Sequence, residues 1–105
     1  EEQKQAEPQL TLGKKNALET AKDYLEYSSF SKQGLFDQLK FEGYEDADCQ
    51  FAVDNCGADW MVQAEKTAKS YMEYSSFSKQ GLIDQLVYEG FSQEEAEHGA
   101  AAVGY

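Results

Sequence analysis

The chain has 105 residues, with 20 Asp and Glu against nine Lys, no Arg and a formal net charge of −11. Such a field repels phosphate backbones and anionic headgroups and attracts basic partners. No apolar stretch approaches the roughly 20 residues needed to span a bilayer.

The length fits about one domain, yet the sequence divides into two units of about 45 residues each. A run of ten residues, Glu26 through Leu35, returns unchanged as Glu73 through Leu82, 47 positions later. Aligning 17–44 with 64–91 gives 20 identities in 28 positions, and most differences preserve size, as with Leu25 and Met72 or Phe41 and Tyr88. A duplication this close means one small unit built twice. Units this short sit near the lower limit for independent folding, so the copies are expected to lean on each other. The charge excess lies in the repeats: 17–62 holds ten acids and three lysines, 63–105 seven acids and three lysines, and 1–16 is neutral.

In chain order, residues 1–16 are polar, contain the only proline and read as a flexible spacer. Asn16 is the expected cap of a first helix, with Glu19 reaching back, and Ala17, Ala21, Tyr24, Leu25 and Ser28 mark its buried face. Ser31 caps a second helix whose stripe is Leu35, Phe36 and Leu39, and Gly43 stops it. A third helix covers 46–56, with Cys49, Ala52, Val53 and Cys56 on one face, and Gly57 ends it. Asp59 opens the second copy, whose first helix carries Trp60, Ala64, Ala68, Tyr71 and Met72. Ser78 caps the next, with Leu82, Ile83 and Leu86, closing at Gly90. Ser92 and Glu95 form a capping box before a last helix that ends near Gly104. No stretch alternates long enough to make a strand. The expected fold is all-α, a tandem of two three-helix, helix-turn-helix-like units: 1–16 spacer, 17–58 first repeat, 59–105 second repeat.

A helix-turn-helix outline invites a DNA-binding reading, but a recognition helix needs basic flanks and phosphate contacts. Here the third helices open on Glu45-Asp46-Ala47-Asp48 and Glu94-Glu95-Ala96-Glu97. Nucleic acid is therefore not the expected partner. Nor is catalysis expected. His98 is the only histidine, and although Glu94, Glu95 and Glu97 lie close by, a solvated helix face explains them better than a cation site. No Ser or Cys nucleophile has a histidine in a recognisable motif, and no glycine-rich phosphate loop follows a strand. No cofactor or metal is expected.

Cys49 and Cys56 are seven residues apart, about 10 Å along a continuous helix, beyond the roughly 7 Å Cα separation a disulfide allows. Their counterparts in the second copy are Ala96 and Val103, so two packed thiols are expected. Trp60 is read as a plug where the units meet. Gln38 and Gln85, between core leucines, are expected to hydrogen-bond a turn. The repeated acids Glu26/Glu73, Asp37/Asp84 and Glu42/Glu89 are the candidate partner-binding residues.

The run from Tyr24 to Val53, then Asp54-Asn55-Cys56-Gly57-Ala58-Asp59-Trp60, then Phe77-Ser78-Lys79-Gln80-Gly81-Leu82-Ile83-Asp84-Gln85-Leu86, resembles the Ltp family. These are host-cell-surface lipoproteins encoded by prophages of Gram-positive bacteria. The resemblance covers about residues 17–105 through a repeated pattern, A-x-x-Y-L/M-x-x-x-x-F-S-x-x-G-L-x-x-Q-L-x-x-E-G-Y/F, followed by A-V-D-N and D-W. It implies superinfection exclusion: a lipoprotein on the outer face of the cytoplasmic membrane that blocks injection of another phage's DNA by engaging a tail component such as the tape measure protein. The chain carries no charged-then-apolar leader and no lipid-accepting cysteine at its start, so it reads as a soluble fragment or mature form, and a monomer is expected. Membrane attachment is expected only through an N-terminal lipid anchor absent from this sequence. A cell-surface adhesion or host-protein-binding module is the alternative.

Overall fold

The computed structural model describes residues 10–105, so the first nine residues of the expected spacer lie outside the described residues. Six helices follow in order: α1 (Leu12–Tyr27), α2 (Lys32–Phe41), α3 (Asp46–Asn55), α4 (Trp60–Tyr74), α5 (Lys79–Tyr88) and α6 (Gln93–Ala102). Among the described residues there is no strand.

α1 starts earlier than the expected spacer allowed, and Asn16 does not cap it. Thr11 is the cap, its hydroxyl accepting the Lys14 N–H at 3.1 Å, and residues 12–16 are helical. The physical reason is that this first turn docks on α3 without aliphatic side chains. A Cβ on Gly13 would lie 2.3 Å from an Asp48 carboxylate oxygen, so a larger residue there would require the Asp48 side chain to move aside. The Lys14 ammonium sits 5.7 Å from the centre of the Phe51 ring, a cation–π contact. Neither feature shows in an apolar periodicity.

The remaining starts and stops follow the expected chemistry. Ser31, Ser78 and Ser92 accept the backbone N–H of Gly34, Gly81 and Glu95, and Ser92 with Glu95 completes a reciprocal capping box. Asp59 accepts from Met61 and Val62. α2 and α5 close with Gly43 and Gly90 at φ of 104° and 109°. There the following residues, Tyr44 and Phe91, donate back to the carbonyls of Leu39 and Leu86. This doubled turn satisfies carbonyls that the helix end would otherwise leave bare.

Each unit buries its own core. In the first, Ala17, Ala21, Leu35, Leu39, Cys49, Ala52 and Val53 are buried together. In the second the set is Ala64, Ala68, Leu82, Ile83, Leu86, Phe91, Ala96 and Ala100. The first and third helices of each unit make its most extensive contact, α1 on α3 and α4 on α6. Small residues on both faces make that possible: a Cβ on Gly99 would fall 2.8 Å from the Ala64 carbonyl oxygen. The second helix lies across this pair and inserts two leucines, joined in the second unit by Ile83.

The described residues extend 57 × 24 × 19 Å, and no helix of one unit packs along a helix of the other. The joint is made of a few specific contacts. The Ser31 hydroxyl donates to the Glu89 carbonyl at 2.6 Å, the Phe30 N–H donates to the buried Gln63 side chain at 2.9 Å, and the Ser29 and Thr67 hydroxyls meet at 2.8 Å. Trp60, first residue of α4, packs against the core of the first unit.

Both cysteines are free thiols. Cys49 is buried, and burial pushes its thiol pKa up. In native protein a thiol reagent is therefore expected to modify Cys56 first, with Cys49 reacting only on denaturation, as followed by mass spectrometry. Ser31 both caps α2 and clasps the second unit, whereas Ser78 only caps. Ser31→Ala is expected to cost about 2 kcal/mol and Ser78→Ala about 1 kcal/mol, compared by urea denaturation.

Candidate interaction surface

Each unit builds the same polar clamp between its first and second helices. In the first, Gln38 Nε2 donates to the Tyr24 hydroxyl at 3.2 Å, and that hydroxyl donates to the Glu42 carboxylate. In the second, Gln85 donates to Tyr71 at 3.2 Å and Tyr71 to Glu89. Each tyrosine ring is held edge-on by a phenylalanine of the connecting turn, with centroids 5.6 Å apart for Tyr24 and Phe30 and 5.7 Å for Tyr71 and Phe77. The Glu42 carboxylate, accepting the phenol hydrogen, raises the Tyr24 pKa, with burial adding to it. For Tyr71 burial comes first and the Glu89 bond second. Both phenols therefore stay protonated at neutral pH and remain donors. The glutamines were expected to bond a turn. They bond a phenol instead, because the second helix crosses the first at the height of Tyr24 and Tyr71.

The six candidate acids divide into three kinds. Glu42 and Glu89 cap the C-terminal ends of α2 and α5 and are engaged by the clamp. Asp37 and Asp84 accept from Gln33 and Gln80 one turn earlier, at 2.9 and 2.8 Å, on exposed helix faces. Glu26 and Glu73 stand exposed in the last turns of α1 and α4. The fold does not gather these acids into one cluster within a unit.

The sequence reading passed over four aromatic residues. Tyr27, Phe41, Tyr74 and Tyr88 are 84–86% exposed, and they form two equivalent pairs, Tyr27 with Tyr74 and Phe41 with Tyr88, at the repeat spacing. The signal was present, since none of the four falls on the buried stripe of its helix. Tyr27 also borders a depression of about 340 Å³ lined by Thr20, Asp23, Tyr24 and Ser28 as well.

His98 does not join its neighbouring glutamates. Its Nε2 lies 2.5 Å from the Glu65 carboxylate, linking α6 to α4. Among the described residues no three His, Cys, Asp or Glu side chains come together as metal ligands. No helix there is long and apolar enough to cross a membrane.

The sequence model of the family described as host cell surface-exposed lipoprotein, Ltp, matches residues 13–56 and again 59–103. Among solved structures, the chain is similar to Ltp, a superinfection exclusion protein from the Streptococcus thermophilus temperate phage TP-J34. Identity is 35% and the TM-score 0.82, over 89% of this chain and 97% of that one. No curated protein matches. With both repeats matched in full and their helices superposing on that structure, the chain belongs to the host cell surface-exposed lipoprotein (Ltp) family.

Proposed function

We propose that this chain is a superinfection exclusion protein, displayed on the outer face of the host membrane through an N-terminal lipid. It acts by binding rather than catalysis: it captures the tape measure protein of an incoming phage tail and stalls DNA injection. The observation that carries this reading is the match, at 35% identity over 89% of the chain, to a superinfection exclusion protein. The charge of −11 supports a basic or amphipathic protein segment as the partner, because complementary charge raises the rate of encounter. The same charge disfavours DNA. Asp46 and Asp48 in the first turn of α3, and Glu94 and Glu95 in that of α6, stand where a groove-reading helix would need cations.

Host cells displaying the lipidated chain should adsorb a sensitive phage normally but yield few plaques, with phage DNA remaining uninjected. Full plaque numbers would refute the role. For the partner, the clean charge test is Glu26→Lys with Glu73→Lys, since these carboxylates carry no clamp. Reversal at Glu42 or Glu89 would also break the Tyr24 or Tyr71 bond. The double variant is expected to melt like the parent yet bind a tape measure fragment several-fold more weakly at low salt, with a flatter salt dependence. Unchanged binding would remove the electrostatic contribution. In low-salt gel shifts no complex with duplex DNA is expected.

A further inference from the structure

We propose that Tyr27 with Phe41, and Tyr74 with Tyr88, are the anchors of two equivalent docking surfaces for a lysine- and arginine-rich protein segment that also carries apolar side chains. This rests on the reading of the chain as a protein-capturing molecule and names the side chains that would do the capturing.

The geometry places each pair around the clamp. Tyr24 and Gln38 are hydrogen-bonded across α1 and α2. Tyr27 follows Tyr24 by three residues and Phe41 follows Gln38 by three, so each exposed ring stands one turn from that bond on its own helix. Tyr74 and Tyr88 stand in the same relation to Tyr71 and Gln85. The clamp holds the two helices in register, so the rings are presented at a set separation before any partner arrives, which reduces the ordering cost of binding.

Packing does not account for these rings. All four are 84–86% exposed, so they contribute little to either core. At 41 and 88 the copies have diverged from Phe to Tyr while keeping an aromatic ring, although nothing is packed closely enough there to demand one. Large rings with only two rotatable bonds are effective interface anchors, and their faces attract ammonium and guanidinium groups.

Charge selects the occupant. Glu26 and Glu42 neighbour Tyr27 and Phe41 in the chain, and Asp23 lines the depression beside Tyr27. Lys66 is the one cation lining the adjoining depression with Glu26 and Tyr27, and Lys40 is paired with Asp46 at 2.7 Å. In the second unit Glu73 and Glu89 remain, but Ser70 replaces Asp23 and the partly exposed Val87 replaces Lys40. The first surface is therefore the more anionic and the second the more apolar. A segment alternating cationic and apolar side chains complements both, whereas a purely cationic one reaches the acids and the ring faces but leaves Val87 and the ring edges without apolar contacts.

The test uses the full chain and a fluorescent helical peptide of about 20 residues made of Lys, Arg and Leu, alongside the same peptide with Ser for Leu. The chain is expected to bind the Leu peptide more tightly than the Ser peptide. Tyr27→Ala with Phe41→Ala should weaken Leu-peptide binding about tenfold at physiological salt, without shifting the thermal melt. Tyr74→Ala with Tyr88→Ala should weaken it by a smaller factor. Equal affinity for the two peptides, or aromatic variants that bind like the parent, would overturn the assignment. Plaque assays separate this from the functional reading. If the parent chain fails to exclude phage while the aromatic variants lose peptide affinity, the role is discarded and the surfaces are kept. Exclusion with unchanged affinity discards the surfaces and keeps the role.

Discussion

The close approach of the first and third helix in each unit is the constraint from which the rest follows. A segment of about 45 residues has little apolar surface to bury, and on the facing surfaces of its first and third helices this one supplies few large side chains. What it supplies is alanine, cysteine and glycine on the facing surfaces: Ala17, Ala21, Cys49 and Ala52 in one copy, Ala64, Ala68, Ala96, Gly99 and Ala100 in the other. Small residues let backbones come near enough for dense packing, and a dense core of few atoms holds better than a loose core of many. With that pair in place, the second helix fills the core with Leu35, Leu39 and the partly buried Phe36, or with Leu82, Ile83 and Leu86. The rest of its surface is released from packing and is free to carry charge and aromatic rings.

Equivalent positions then diverge wherever the two copies meet. Ser31 and Ser78 occupy the same place in the repeat, yet only Ser31 is buried and reaches the other copy. Gly90 accommodates that contact, since a Cβ there would lie 2.6 Å from the Ser31 hydroxyl. The position that is Gly13 in the first copy, giving α3 room, is Trp60 in the second, where the indole covers the first core. Asn16 is exposed, while its counterpart Gln63 is buried and accepts the Phe30 N–H. The joint therefore combines one aromatic plug with directional hydrogen bonds. Directional bonds fix orientation where a greasy contact of this size would not.

Much of the architecture was legible because its signals are local. Serine caps, glycine stops and apolar stripes with helical spacing each report on neighbours within a turn or two, and they placed α2, α5 and α6 closely. The start of α1 was not legible, because what extends it to Leu12 is a contact across the chain, Gly13 on Asp48 and Lys14 on Phe51. The clamp was hidden for the same reason: Gln38, Tyr24 and Glu42 come from two helices whose crossing no periodicity reveals. Glu42 and Glu89 looked like free surface acids and prove to be acceptors for half-buried tyrosines. His98 read as part of a solvated helix face and is instead paired with Glu65 on α4.

Acidity alone is a weak basis for recognition, because exposed charges are screened beyond about 8 Å at physiological salt and a surface pair contributes at most about 1 kcal/mol. The pairs Lys32–Asp54 and Lys40–Asp46, both largely in solvent, illustrate that ordinary role. What distinguishes this surface is the placement of rings among the acids. Charge brings a cationic segment near quickly and without precise geometry, while desolvation of apolar side chains against a held ring slows its departure. On the proposed reading, in which a phage protein is captured during a brief passage, both rates must be favourable, and neither the acids nor the rings supply both.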